Sequence, residues 1–304
     1  MSKSEVIANG VGMKNLLSDG KYENGFGVMG MSAESGRKNL AFFACGGKPE
    51  AEPVWQIGQW SGKNDLCRSK GRETAPGVWN YTAGGKSFTL DRNDNVLTLA
   101  VNAEKEYDHA RRENEGWVHL LLEQEFSEWA RVEGAKSVCA ELDFSVDKCV
   151  NRMGREYDPE LHAAQLTWYI MVTNRPKKTV YDEKTGLWSE GEDGDYLWFG
   201  LPIFDNRRPY AEKSAAYDRG TDRYISSIAS YRYLSRDAEV GKRYAFRYDI
   251  LPDIRDAVCR AKELGALKNV RYENLYFTYM NFGWEVPGIF DVSLSVRSIN
   301  LYWN

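Results

Sequence analysis

Residues 117–126 read WVHLLLEQEF and have the two-residue periodicity of a β-strand. Side chains of a strand alternate between the two faces of its sheet. One face would carry Val118, Leu120, Leu122, Gln124 and Phe126, and the other Trp117, His119, Leu121, Glu123 and Glu125. The first set is nearly all apolar, and the second combines an aromatic ring, an imidazole and two carboxyl groups. The stretch therefore predicts a sheet with one face packed on a core and the other open to water or a ligand.

The same half-polar alternation recurs along the chain, in segments 137–146, 165–175, 196–204 and 243–251. Segment 86–101 predicts a hairpin with a polar turn at 91–94. Segment 252–264 has apolar residues at helical spacing and ends before Gly265, which predicts one short helix. We therefore expect an all-β fold, an antiparallel β-sandwich of jelly-roll type, with a loosely held lead-in at 1–24 and a single domain over 25–304.

Composition excludes several classes of function. The chain has 304 residues, 42% of them apolar and 28% charged, and its net charge of −4 includes no basic stripe that would bind nucleic acid. No apolar run approaches the roughly 18 residues of a membrane span. Five cysteines without CxxC spacing indicate neither a disulfide framework nor a zinc ribbon. The N-terminus lacks a secretory core, which predicts a cytoplasmic protein, or a secreted one if a leader has been removed.

The half-polar strands and the closing run FDVSLSVRSINLYW at 290–303 resemble the large β-jelly-roll proteins of carbohydrate metabolism. These are the lectin-like and glucanase-like (concanavalin-like) sandwiches and the carbohydrate-binding modules. The resemblance implies an oligosaccharide or polysaccharide ligand in a groove across a concave sheet. Glu141 and Asp143 are similar to the first two acids of the Glu-x-Asp-x-Glu strand of laminarinase-like glucanases. The third acid is replaced here by Ser145.

Two kinds of chemistry are open on such a sheet. If the strands at 117–126 and 137–146 are neighbours, an acidic patch with an imidazole forms, which can separate a general acid from a general base and hydrolyse a glycoside. The candidate catalytic residues are His119, Glu123, Glu125, Glu141 and Asp143. A polysaccharide lyase would instead use His or Tyr for proton transfer and a cation for the uronate, and its candidates are His119, Gln165, Tyr169 and Arg247.

Binding without chemistry is equally open, because aromatic rings stack on sugar rings while polar groups at the rim bind the hydroxyls. The candidate ligand-binding residues are Trp117, Gln165, Tyr169, Trp198, Asp205, Arg247, Trp284 and Glu285, with Trp284 and Glu285 on a loop rim. A third class is a non-enzymatic interaction protein. The histidine spacing predicts no metal site and no cofactor, although the acidic loops at 91–94 and 190–195 can hold structural calcium.

Overall fold

The structure is a computed structural model that describes residues 12–31, 38–175, 179–182, 187–190, 196–218, 223–267 and 270–304. Its strands are β1 (Lys14–Asn15), β2 (Phe26–Met29), β3 (Asn39–Phe43), β4 (Trp55–Trp60), β5 (Arg72–Ala75), β6 (Val78–Ala83), β7 (Lys86–Asp91), β8 (Val96–Asn102), β9 (Val118–Arg131), β10 (Val138–Asn151), β11 (Gln165–Asn174), β12 (Thr179–Asp182), β13 (Leu187–Glu190), β14 (Tyr196–Asp205), β15 (Ser214–Asp218), β16 (Arg223–Ser227), β17 (Arg243–Asp249), β18 (Leu275–Val286) and β19 (Phe290–Trp303). The helix α1 spans Leu251–Glu263. Short 3-10 helices cover Leu66–Arg68, Ala103–Lys105, Gly154–Glu156, Ser230–Arg232 and Tyr272–Asn274.

Two sheets form a sandwich. The front sheet has the strand order β15-β16-β14-β11-β18-β9-β4-β2-β3. The back sheet has the order β17-β10-β19-β8-β7-β6-β5, with β1 added on β19, and β12 pairs with β13 in a separate hairpin. Most neighbours are antiparallel, while β2 with β4 and β14 with β16 are parallel. The predicted all-β sandwich with one short helix is confirmed.

The core lies between the two sheets and contains the apolar face predicted for 117–126. Leu120 and Leu122 of β9 are fully buried, as are Leu97 and Leu99 of β8 on the back sheet. Trp284 of β18 joins the sheets directly, because its indole Nε1 donates a hydrogen bond to the Leu99 carbonyl oxygen at 3.2 Å. The alternation along 117–126 therefore sorted its side chains correctly into a packed face and an outer face.

The predicted local elements are present. Strands β7 and β8 form the predicted hairpin, with Asp91 opposite Val96. Helix α1 buries its apolar side chains and is followed by Gly265 at a φ of 88°, a left-handed conformation that glycine adopts readily. Leu264, predicted on the apolar stripe, is exposed instead because the helix ends before it. None of the helices in the described part of the chain has the length and apolar character needed to span a bilayer.

Part of the segment expected to be a loose lead-in packs on the sandwich. Strand β1 pairs with the last strand, with Lys14 opposite Trp303. Leu16, Leu17 and Tyr22 are buried in the core, and burial raises the pKa of Tyr22 well above its ordinary value. Residues 1–11 lie outside the described residues, so the division into a lead-in and one domain stays a prediction.

A buried ion pair fixes the loop that follows Trp60 at the end of β4. Lys86 and Glu106 have fully buried side chains, with Nζ 4.0 Å from Oε2. The Glu106 carboxylate also accepts hydrogen bonds from the backbone N–H groups of Lys63 and Asn64 at 2.9 and 3.0 Å. Burial lowers the pKa of Lys86, and the Glu106 charge acts in the opposite direction. Because a buried charge is costly without its partner, this pair ties the loop firmly to the sandwich.

Candidate functional site

A groove of about 1010 Å³ opens on the outer face of the front sheet. It gathers these residues that the sequence predicted: Trp117, His119, Glu123, Gln165, Tyr169, Trp198 and Glu285. The sequence did not single out its other lining residues, which are Trp60, Asn114, Leu121, Ala216, Tyr217, Ile225 and Asn281. Distant segments of the chain therefore meet in one groove because their strands are neighbours in the front sheet.

Strand register arranges the groove floor in three rows across β11, β18, β9 and β4. The first row is Gln165, Glu285, His119 and Trp60. The middle row is Thr167, Gly283, Leu121 and Gly58. The third row is Tyr169, Asn281, Glu123 and Gln56. The middle row has no charged side chain, so Glu285 and Glu123 stand on either side of a shallow strip.

Glu123 lies at the bottom of the groove with only 1% of its surface exposed. Its carboxyl group leans over Gly58 in the middle row, where a Cβ atom would lie 2.8 Å from Cδ of Glu123 and closer still to Oε1. Gly58 thus provides the space that the carboxyl group occupies. Glu123 lines the groove although it is buried. Its surroundings are therefore protein groups rather than bulk water, which is common for functional carboxyl groups.

His119 and Glu285 form a close pair in the first row. The His119 Nδ1 atom lies 2.7 Å from the Trp117 carbonyl oxygen. A carbonyl can only accept, so Nδ1 carries the proton. The other ring nitrogen, Nε2, lies 3.6 Å from Oε1 of Glu285. This distance brings the imidazole beside the carboxyl group, so the two side chains act on the same part of the groove.

Aromatic rings form the walls. Tyr169 and Trp198 lie with ring centroids 5.7 Å apart and tilted by 53°. Trp117 is 39% exposed, and the Arg111 guanidinium lies 5.7 Å from its ring centroid. Tyr217 is also exposed beside the groove. Flat apolar walls above a floor with few polar groups are the usual form of a small-molecule site.

His162 supports one wall without facing the groove. Its Nε2 atom lies 2.8 Å from the Arg111 carbonyl oxygen, and its Nδ1 accepts the Asp158 backbone N–H at 2.9 Å. Both ring nitrogens are therefore satisfied, and the ring is buried. Arg111 in turn donates from Nε to the Glu115 carbonyl oxygen at 2.9 Å, which orders the loop that leads into Trp117.

Asp205 lies at the end of the first row and contacts Gln165 rather than the groove itself. Its Oδ2 accepts hydrogen bonds from Gln165 Nε2 at 3.0 Å and from Arg207 Nη2 at 2.7 Å. Its Oδ1 accepts from Arg207 Nε at 2.9 Å. Burial alone would raise the pKa of Asp205, but the hydrogen bonds and charge of Arg207, together with Gln165, outweigh burial and lower it.

Three predicted site residues lie on the other side of the molecule. Glu141 and Asp143 belong to β10, which is in the back sheet, so β9 and β10 are not neighbours. Arg247 of β17 lies 3.4 Å from Glu141, and Arg243 donates to Asp143 from Nε at 2.8 Å. The expected acidic patch between the two strands is therefore wrong, and so is the placement of Arg247 beside His119. These residues form ion pairs on the outer face of the back sheet.

Two further predictions are corrected. Trp284 is fully buried in the core and not on a rim, because β18 continues to Val286 and alternation turns Trp284 inward and Glu285 outward. Glu125 is on the front sheet opposite Tyr279, is exposed, and does not line the groove.

The sequence carried a signal for some of the missed lining residues. Asn281 has the same parity as Glu285 on β18, and Trp60 ends the apolar strand β4. Tyr217 and Ile225 come from strands of only five residues each at the sheet edge, which are too short for alternation to stand out.

The described residues contain no group of three or more His, Cys, Asp or Glu side chains that could hold a metal ion. In the loop at 91–94, Asp91 Oδ1 accepts the Asn93 backbone N–H at 2.9 Å, which is the bonding of an ordinary polar turn. Residues 191–195 of the other predicted calcium loop lie outside the described residues.

Comparison with known proteins finds similarity in structure alone. No family model matches the chain, and no curated protein sequence matches it. A thermostable cellulase derived from Cel12A of Rhodothermus marinus is similar in structure at 10% identity and a TM-score of 0.43, covering 82% of this chain and 100% of that chain. A family 12 xyloglucanase from Bacillus licheniformis, in complex with ligand, is similar at 10% identity and a TM-score of 0.41, covering 80% and 99%. The xyloglucanase domain of NopAA from Sinorhizobium fredii, in complex with cellobiose, has 6% identity and a TM-score of 0.38, covering 80% and 99%. What the groove can do follows from its own residues.

Proposed function

We propose that the groove binds a neutral segment of a polysaccharide and hydrolyses a glycosidic bond within it. The observation that carries this proposal is the placement of Glu123 and Glu285. The two carboxyl groups face one aromatic-walled groove from either side of a middle row without charged side chains. Paired carboxyl groups of this kind supply the acid and the base that glycoside hydrolysis needs.

The walls suit a sugar ring. Trp117, Tyr169 and Trp198 present flat apolar surfaces to the groove, and these can stack on the C–H face of a pyranose. Asn114 and Asn281 are neutral amides that can both donate and accept hydrogen bonds with hydroxyls, and the Gln165 amide, whose NH₂ group donates to Asp205, can accept one through its oxygen. An oligosaccharide is therefore a better match than an entirely apolar ligand, which would leave these amides without partners.

The charges of the groove favour a neutral glycan over a uronate polymer. The described lining residues include two Glu and one His, namely Glu123, Glu285 and His119. They include no Lys or Arg. An ionised base in a groove without Lys or Arg would repel a uronate, because like charges interact unfavourably at short range. Arg247, the cation expected for a lyase, is paired with Glu141 on the back sheet. This distribution of charge supports hydrolysis over elimination.

Register indicates how far apart the two carboxyl groups lie. Glu285 is opposite His119, and Glu123 is four residues further along β9. The Glu123 carboxyl group leans back over Gly58, which is opposite Leu121. From Gly58 to Glu285 there are two strand spacings of ~4.8 Å and two strand rises of ~3.3 Å, so the backbone positions are about 12 Å apart and the two side chains reach into the strip between them. We take the inverting mechanism, in which a water lies between the base and the sugar and the carboxyl groups are roughly 6.5–9.5 Å apart, because the roughly 5–5.5 Å of retaining enzymes would need both side chains to turn fully toward each other.

The reaction then follows in one displacement. The Glu285 carboxyl group, paired with His119, donates its proton to the glycosidic oxygen, and the bond from that oxygen to the anomeric carbon breaks with its electron pair going to oxygen. Glu123 takes a proton from a water molecule whose oxygen attacks the anomeric carbon from the opposite face. The products are an alcohol and a hemiacetal, and the proton that Glu123 took from water returns to Glu285 through solvent, so that one water is consumed in each cycle.

The test uses carboxyl-to-amide variants on a panel of soluble β-glucan, xylan, mannan and polygalacturonate. Reducing-end release measures hydrolysis, and retardation in affinity gels measures binding. Glu123→Gln and Glu285→Gln should each lose about 10²–10⁴-fold in turnover, with binding kept within a few-fold. Glu141→Gln is the matched control, because it removes a carboxyl group from the back sheet and should behave as wild type.

The other outcomes of this test each indicate a different function. Binding of a neutral glycan without hydrolysis by wild type would replace the hydrolase with a binding module. Release of unsaturated products from polygalacturonate would favour a lyase. If no member of the panel is bound, the glycan proposal fails and an interaction protein becomes the better explanation.

A further inference from the structure

A chain of hydrogen bonds fixes the end of the groove's first row. Arg207 binds the Asp205 carboxylate in a bidentate manner. Its Nε donates to Oδ1 at 2.9 Å, and its Nη2 donates to Oδ2 at 2.7 Å. The Arg207 backbone N–H adds a third hydrogen bond to Oδ1 at 3.0 Å. The remaining hydrogen bond of Oδ2 comes from Gln165 Nε2 at 3.0 Å. Asp205 is buried at the end of β14 and is not one of the described residues that line the groove, and its hydrogen bond to Gln165 connects it to the groove.

This arrangement decides which way the Gln165 amide points. The two ends of a glutamine amide are nearly equal in size, so its orientation is set by its hydrogen-bond partners. The guanidinium of Arg207 keeps Asp205 ionised by lowering its pKa. An ionised carboxylate can only accept hydrogen bonds, so it must face the amide NH₂ group. The amide oxygen of Gln165 then points away from Asp205, and among the described residues it has no hydrogen-bond donor.

The Gln165 amide oxygen is placed where it can contact a ligand in the groove. Gln165 lines the groove and is the register partner of Glu285 on the neighbouring strand. An amide oxygen held there accepts a hydrogen bond from a ligand and can give none. A free hydroxyl on the sugar ring beside Glu285 satisfies it, whereas an O-methylated or deoxygenated ring leaves it unpaired, which a site built for a hydroxyl rejects.

We propose that Asp205 is a positioning residue that orients Gln165 so that its amide oxygen selects a free sugar hydroxyl next to Glu285. The proposal rests on the glycan-hydrolase function above and adds a specificity determinant to it. Asp205 acts through Gln165, and Gln165 is the residue that contacts the sugar.

A double-mutant cycle tests the proposal, with the neutral polysaccharide that wild type binds most tightly among β-glucan, xylan and mannan as the probe. Gln165→Met and Asp205→Asn should each weaken affinity about 3- to 10-fold, as expected for one hydrogen bond between neutral groups. The double variant should be no weaker than Gln165→Met alone, because Asp205 has no other route to the sugar. Asp143→Asn, on the back sheet, is the matched control and should leave affinity unchanged.

A second readout separates orientation from a merely structural role. Wild type should bind the unmodified glycan more tightly than a partially O-methylated preparation, and Gln165→Met should lose part of that preference without a change in melting temperature. If Asp205→Asn does not fold, the comparison of wild type with Gln165→Met on the two preparations still tests the proposal. The proposal is overturned if Gln165→Met binds both preparations as wild type does, or if Asp205→Asn weakens binding equally in the Gln165→Met background. Failure of wild type to bind any neutral glycan would instead reject the proposed function itself.

Discussion

Replacing Gly58 with alanine should damage catalysis while leaving the fold intact. The added Cβ would lie 2.8 Å from Cδ of Glu123, whereas ordinary contact begins at 3.4 Å. The nearer carboxyl oxygen must therefore move by about 1 Å, and a shift of that size in a catalytic group can cost about 10²-fold in rate, or about 2.7 kcal/mol of transition-state stabilisation. Gly58 does not have a left-handed φ, so alanine is compatible with its backbone.

Stability should change little, because the group that gives way is the end of a flexible side chain. We expect the free energy of unfolding of Gly58→Ala to stay within about 1 kcal/mol of wild type. The assay is kcat/KM on the best neutral polysaccharide, measured beside urea unfolding. Gly134→Ala is the control, since a Cβ there meets nothing within 4 Å. A Gly58→Ala enzyme with kcat/KM within threefold of wild type, beside an inactive Glu123→Gln, would refute the assigned placement of Glu123.

Three other perturbations have distinct expected results. Lys86→Met should lower the free energy of unfolding by about 3–5 kcal/mol, because it leaves the buried Glu106 carboxylate without its cation; a loss below 1 kcal/mol in urea titration would contradict this. The pKa of Asp205 is lowered in the fold, so its stabilising contribution is full above the unfolded pKa of about 3.9 and declines as pH falls further. The difference in unfolding free energy between wild type and Asp205→Asn should accordingly be constant from about pH 8 to pH 5 and shrink below about pH 4. Trp284→Ala should cost about 3–5 kcal/mol of stability as a core cavity, whereas Trp198→Ala should mainly weaken glycan affinity, by about 0.5–1.5 kcal/mol; equal effects of the two on stability would contradict their placement.

Alternation was enough to predict which face of a strand is packed. The period of two is a property of the backbone, and it placed His119 and Glu123 on the outer face of β9 without knowledge of neighbours. The same rule applied to 275–286 would have turned Trp284 inward and Glu285 outward. A glycine and a proline near the end of that segment suggested a loop, although the strand continues to Val286.

Strand pairing was not predictable from the same pattern. β9 and β10 follow each other in sequence, and each has one apolar face and one face with acidic residues. A two-layer sandwich has two outer faces, and alternation does not say which of them a strand faces. Consecutive strands often pair, so Glu141 was expected beside Glu123. The turn after β9 instead carries the chain across to the back sheet, where Arg243 and Arg247 neutralise the acids of β10.

Under the proposed mechanism, two carboxyl groups must reach one glycosidic bond across the shallow middle row. The row carries only Thr167 and Leu121 beside its two glycines, and bulkier side chains there would keep a sugar ring from reaching both carboxyl groups. Two glycines keep that row low for different reasons. At Gly283, with φ of 155°, a Cβ would lie 2.9 Å from the Leu121 Cα and nearer to the Leu120 carbonyl, so the backbone itself requires glycine. At Gly58 the backbone would accept alanine, and the space is taken by side chains, first the Glu123 carboxyl group and then Met29, whose Cε lies 3.3 Å from the added Cβ. The first glycine therefore serves the fold and the second serves the site, although both look alike in the sequence.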